Sequence, residues 1–314
     1  MIHSKICDMV GIKYPIFQGG MAHIADGELA AAVSNAGGLG LISAMAYNAD
    51  YLKEQIDIAR KLTDKPFGVN LMLMSPYADE IAVLLKEEKI PVVTTGAGNP
   101  AKYMEMWLEA GIKVIPVVAS VAMAKKIEKL GACAVIAEGG ESGGHVGEQT
   151  TMPLVPQVCD AVSIPVIAAG GIGDGRGVAA SFMLGAEGVQ LGTRFLVAKE
   201  CNVHQNYKDK ILKASDISTI VTGKRLGHAV RSIKTPFSKN YQKAEYSSMP
   251  DDELENLAVG KLRLAAVEGD LEQGCFLAGQ IAGMITKEQT CAEIIEEIFE
   301  ETENVLKGAL KWVK

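Results

Sequence analysis

The chain has 314 residues, 48% hydrophobic and 22% charged, with 33 glycines and 11 prolines, an ordinary globular balance with room for one large α/β domain and an appendage. Its formal net charge of −7 argues against nucleic acid as the main partner of the surface. No apolar run approaches the roughly 20 residues needed to span a bilayer, and the opening MIHSKICDMVGIKYPIFQGG lacks a basic stretch followed by an apolar one, so the expectation is a cytoplasmic protein without signal peptide or membrane contact.

In chain order, short apolar runs alternate with longer helical patterns. The runs are PIFQG (15–19), LGLIS (39–43), FGVNL (67–71), PVVTT (91–95), KVIPVV (113–118), AVIAE (134–138), PVIAA (165–169) and GVQLG (188–192). Each is too short for a helix, and most are rich in Val and Ile, as strands buried on both faces are. Helical stretches such as 26–37, 99–111 and 174–186 lie between them, several ending near a glycine. Eight strands in about 200 residues predict an α/β fold, a (β/α)8 TIM barrel, in preference to an open doubly wound sheet. Beyond residue 200 the repeat is lost. The expected division is a barrel over 1–200, a small, mainly helical cap over 201–282, and a C-terminal helix over 283–314 that packs back on the barrel. The six cysteines (Cys7, Cys133, Cys159, Cys201, Cys275, Cys291) are scattered without a CxxC pair and read as reduced thiols, with no metal site or disulfide frame.

Polar residues gather at the strand C-terminal ends, the active-site face of such barrels: Gln18, Asn70, Thr94, Thr95, Glu138, Gln190 and Thr193. The segment EGGESGGHVG (138–147) adds Ser142, Gly144 and His145 in a glycine-rich loop, where backbone approaches a flat or anionic ligand without obstruction from Cβ. His145 is the side chain there with chemistry near neutral pH. PVIAAGGIGDGRG (165–177) and GVQLGTRF (188–195) place Gly170, Gly171, Gly192 and Thr193 after the last two strands. Their N–H groups, helped by a following helix N-terminus, form a candidate phosphate cradle. At the first strand, Gly19, Gly20, Met21 and Ala22 suit the edge of a flat ring, with Asn70 for ring heteroatoms and Glu138 for polyol hydroxyls. No Rossmann fingerprint is present.

These segments, together with LTDKPFGVNLMLMSP (62–76), VVTTGAGNPAKYMEMWLEAGIKVIPVV (92–118) and GQIAGMITKEQT (279–290), resemble the flavin-dependent enoyl-[acyl-carrier-protein] reductase II family, related to the nitronate monooxygenases. The TTGAGNP segment and the region after 200 are the cues for the reductase. The resemblance implies non-covalent FMN, reduced by NADH or NADPH. Hydride then passes from flavin N5 to the β-carbon of a trans-2-enoyl thioester on acyl carrier protein, in fatty-acid elongation. It implies His145 as proton donor or as electrostatic stabiliser of an enolate or reduced flavin, stimulation by a monovalent cation, and a homodimer. The alternatives are a nitronate monooxygenase using FMN and O2 without pyridine nucleotide, and a phosphate-ligand barrel without redox chemistry.

Between Ile217 and Ala244 the chain carries Lys224, Arg225, Arg231, Lys234, Lys239 and Lys243 and no acid, a local reversal of charge. Such a stretch suits an acidic partner such as acyl carrier protein, so Lys224, Arg225, Arg231, Lys234 and Lys239 are expected docking residues. His228 lies within it.

Overall fold

The computed structural model describes residues 2–45 and 47–312. Six strands come first: β1 (Ile16–Gln18), β2 (Leu41–Ser43), β3 (Gly68–Met72), β4 (Val92–Gly96), β5 (Lys113–Val118) and β6 (Val135–Glu138). A two-residue strand, β7 (Gly144–His145), stands in the loop that follows, before β8 (Val166–Ala169) and β9 (Gly188–Leu191). All but β7 join one parallel sheet of eight strands in the order β1-β9-β8-β6-β5-β4-β3-β2. A parallel bridge between Phe17 and Leu39 closes it, with Gln18 N donating to Leu39 O at 3.0 Å. The result is the expected (β/α)8 barrel.

Both faces of the strands are buried, which is why they read as continuous apolar runs. Phe17, Leu41, Val92, Ile115, Ile136 and Ile167 fill the interior, while Ile42, Val69, Val93, Val114 and Val135 pack under the helices. The helix Lys5–Val10, capped by Ser4 and ended at Gly11, adds Ile6 and Val10 to the interior cluster; Ile6 reaches Gly188 at the N-terminal end of β9. The opposite, C-terminal end is left for ligands.

The stretch after 200 is mainly helical, as expected, but it also carries strands that the sequence does not suggest. Besides the helices Gln205–Leu212, Pro236–Glu245 and Asp251–Ala258 it contains β10 (Thr219–Thr222) and β11 (Val230–Ile233). These pair antiparallel with each other, and β11 pairs antiparallel with β7, giving a second sheet ordered β10-β11-β7. The strands are short and separated by a turn with Gly223 and Gly227 both at positive φ, so neither leaves a strong alternating pattern. The final helix, Cys291–Gly308, returns to the barrel: Phe299 stacks on Tyr14 with ring centroids 4.8 Å apart, and Glu301 accepts from Gly175 N at 2.7 Å. Among the described residues no helix is long and apolar enough to cross a membrane, and all six cysteines are unpaired.

Candidate active site

A cavity of about 750 Å3 opens at the C-terminal ends of the strands. This lies within the roughly 300–1,000 Å3 of small-molecule sites. Its wall begins with Gly19, Gly20, Met21 and Ala22 after β1. A Cβ on Gly20 would lie 2.4 Å from the Asn70 side chain, so only glycine allows this backbone to lie against β3. Thr94 donates to Asn70 Oδ1 at 2.9 Å, which fixes the amide and turns its Nδ2 donor to the cavity.

The loop after β6 carries Glu138, Glu141, Ser142, Gly144 and His145 into the wall. Glu141 holds the loop's shape by accepting from Thr151 N at 2.9 and 3.0 Å, and the Thr151 hydroxyl in turn reaches Gly170 O at 2.8 Å. Gly143 lies so close to the Ala278 backbone that a Cβ there would come within 2.6 Å. Glu141 O accepts from Gln280 N at 2.9 Å, and Thr193 Oγ1 accepts from Gly279 N at 2.8 Å. Segment 277–281 thus props the loop and the end of β9 together.

Gly170 and Gly171 follow β8 at φ 87° and 72°, and with Gln190, Gly192 and Thr193 they complete the far wall. The two positive φ values turn the chain sharply after β8, and the backbone N–H groups of such a turn can bind an anion. The helix after β8 gives no help, contrary to the sequence expectation. Its amides are taken by Asp174, which accepts from Arg176 N and Gly177 N, and by Glu301 on Gly175 N.

Burial pushes the Glu138 carboxyl up to about 7; the adjacent Ser142 hydroxyl pulls the other way, although its buried Oγ has no hydrogen-bond partner of good geometry. His145 faces the open cavity, and partial enclosure, then the nearby His228, holds its imidazole below the ordinary value. His228 lines the same cavity. The wall contains carboxylates and imidazoles but no Lys or Arg among the described residues. These groups are compatible with FMN: backbone amides at Gly170–Gly171 and Gly192–Thr193 would suit the phosphate, Ser142 Oγ and Glu138 the ribityl hydroxyls, and Asn70 the ring.

All thirteen residues expected to hold the cofactor, and His145, therefore converge on one cavity. Gln18 and Thr95 do not: Gln18 Oε1 accepts from Leu41 N at 3.1 Å inside the barrel closure, and Thr95 is buried away from the cavity. His23 stands just behind the wall, its Nδ1 3.0 Å from the Tyr47 hydroxyl and its φ at 61°. Sequence reasoning passed over Glu141, Met45, Met72 and Met74, and the walls supplied by residues 222–277. The second acid of the 138–147 loop was the available signal for Glu141.

The basic stretch divides. Arg225 turns inward to the carbonyls of Glu245, Ser247 and Met249 and to Asp251. Arg231 donates to Gly140 O at 2.9 and 3.2 Å and to Thr219 Oγ1 at 3.2 Å. Lys224, Lys234 and Lys239 face solvent, Lys234 also donating to Ile217 O at 2.6 Å.

A (β/α)8 barrel with this mouth is that of an FMN-dependent oxidoreductase. The chain belongs to the nitronate monooxygenase family, whose model matches residues 3–83 and 74–301. It is 36% identical to a protein of Staphylococcus aureus (strain MSSA476) named probable nitronate monooxygenase, over 90% of this chain and 93% of that one. Among solved structures it superposes on FabK from Thermotoga maritima with a TM-score of 0.98, at 50% identity and covering 100% of both chains. The nitroalkane oxidase of Streptomyces ansochromogenes matches with a TM-score of 0.86 at 28% identity, over 96% of this chain and 99% of that one.

Proposed function

We propose that this chain is an NAD(P)H-dependent enoyl-[acyl-carrier-protein] reductase. The observation that carries the reading is the chemistry of the cavity wall: beyond the residues suited to FMN it continues through Leu226, Val230, Phe237, Tyr241 and Leu277, surface suited to an acyl group rather than to a small anion. The full-length likeness to FabK, an enoyl-[acyl-carrier-protein] reductase, supports it. In this reading residues 1–200 are the catalytic barrel, 201–282 the substrate-side cap and 283–314 the helix that ties them together.

The balance is an enoyl thioester, a reduced nicotinamide nucleotide and a proton giving a saturated thioester and the oxidised nucleotide. Bound FMN supplies the two-electron chemistry that links the two substrates. The chain's own residues do the rest. Asn70 and the 19–22 backbone orient the ring; the amides of Gly170, Gly171, Gly192 and Thr193 anchor the phosphate. His145, held at the cavity wall, delivers a proton to the α-carbon or stabilises negative charge on the thioester oxygen. The 138–147 loop and residues of 222–277 flank the site.

The family model and the 36% relative favour a second reading, oxidation of a nitronate with O2 and no nucleotide. Anaerobic stopped-flow separates the two. Bleaching of the flavin by NADH or NADPH, followed by reoxidation with crotonyl thioester, is the expected result. Bleaching by a nitronate and by neither nucleotide overturns it.

A further inference from the structure

The cavity wall extends beyond the FMN-suited residues into what we term the outer lobe. Val230 is paired with His145 in the register of β11 and β7, so the two side chains stand on the same face of that sheet and both line the cavity. Leu277 lies against the same loop, 3.8 Å from where a Cβ on Gly144 would sit. From there the wall runs through Leu226 to the helix Pro236–Glu245, which presents Phe237 and Tyr241.

These two are one turn apart, with ring centroids 6.0 Å apart. The next residue of the same stripe, Glu245, is buried and accepts from Gly223 N at 3.1 Å and Arg225 N at 2.9 Å, fixing the turn that carries Leu226 and His228. The Lys261 ammonium sits 5.5 Å from the Phe237 ring centroid but is not part of the cavity lining. Tyr241 is 6% exposed. Cys275 lines the same end, and burial pushes its thiol up to about 11.

We propose that this outer lobe, lined by Leu226, Val230, Phe237, Tyr241, Cys275 and Leu277, takes the alkyl tail of the acyl thioester, and that Phe237, Tyr241 and Cys275 form its floor and limit chain length. The assignment rests on the reductase reading above. The other candidate occupant, the diphosphate-bearing half of a nicotinamide nucleotide, needs cations or a nest of amides. The described lining contains no Lys or Arg, and these six side chains offer alkyl, thiol and aromatic surface. A hydrocarbon tail gains from such walls in proportion to the area it buries.

The test uses the FMN-loaded protein and needs no turnover. Saturated acyl coenzyme A thioesters from butyryl to tetradecanoyl are titrated calorimetrically. Affinity should rise by about fourfold per methylene until the floor is reached, then level off. Tyr241→Ala should move the plateau to longer chains, and Cys275→Phe to shorter ones; bound flavin absorbance reports whether each variant is folded. If Tyr241→Ala fails to fold, Cys275→Phe decides alone. Unmoved plateaus in folded variants overturn the proposal, as does weakened nicotinamide nucleotide binding with an unchanged acyl series. Failure of every enoyl thioester to reoxidise the reduced wild-type flavin is a separate result, and it refutes the reductase reading instead.

Discussion

His145 and Val230 stand opposite each other in the antiparallel pairing of β7 with β11, and Val146 N extends the ladder by donating to Ala229 O at 3.0 Å. A histidine in a loop with five glycines in ten residues is thereby held by a strand from the far side of the cavity mouth. The clamp fixes where the imidazole can reach.

Replacing His145 with Gln removes a proton carrier but none of the groups suited to FMN. Turnover should fall by about 10²–10⁴-fold, with flavin still bound. Because enclosure and His228 both disfavour the imidazolium, a protonated His145 forms only below the usual histidine value of about 6.5. The wild-type rate of thioester reduction should therefore rise as pH falls through a midpoint below that value. A profile of the same shape in His145→Gln would show that the proton comes from elsewhere.

Arg231 offers a sharper test of the loop. Its Nε and Nη2 both reach Gly140 O, so a planar fork ties β11 to the 138–147 segment. Lysine cannot reproduce that fork. Arg231→Lys should lower kcat and weaken FMN binding several-fold, equally for acyl-carrier-protein and short pantetheine thioesters, as read by steady-state kinetics and flavin fluorescence. A change confined to KM for the carrier-borne substrate would make Arg231 a docking residue after all.

The eight barrel strands are legible because each is a short apolar run, most of them rich in Val and Ile, between helical stretches and buried on both faces. Asn70, Glu138 and the Gly170–Gly171 pair are legible as a group: each alone has a structural explanation, but polar or glycine residues recur at the ends of several barrel strands. The β7–β11 pairing is not: Gly144–His145 is two residues long, and its partner lies far along the chain after a glycine turn. Arg225 and Arg231 look like free surface charge in a stretch without acids. Their partners are carbonyls, which no charge pattern records, and Asp251, which lies beyond the stretch. The candidate phosphate cradle is proposed from its glycines, whereas the capping of the following helix by Glu301 depends on a C-terminal helix folding back.

Lys224 and Lys239 are exposed, and neither is part of the cavity wall. Reversing both to Glu should raise KM for the acidic carrier by about tenfold, from pairs each worth roughly 0.2–1 kcal/mol at an exposed rim. The effect should shrink with added salt. A pantetheine thioester, which lacks the carrier's acidic surface, should be unaffected. Equal changes for both substrates would move the docking surface elsewhere.

Glu138 makes the pH dependence of stability specific. Its carboxyl titrates near 4.5 when unfolded and at about 7 in the folded chain, with burial as the cause. Between those values the folded protein keeps a proton that the unfolded chain has released, so stability falls as pH rises through that window and stays at the lower level above it. Glu138→Gln has no such titration. In protein stripped of flavin, the Tm of Glu138→Gln relative to wild type should therefore increase from pH 5 to pH 8, most of the gain appearing before pH 7. A difference that stays flat across the range would mean that Glu138 is better solvated than its place at the end of β6 implies, and with it the neutral carboxyl at the cavity wall would be lost.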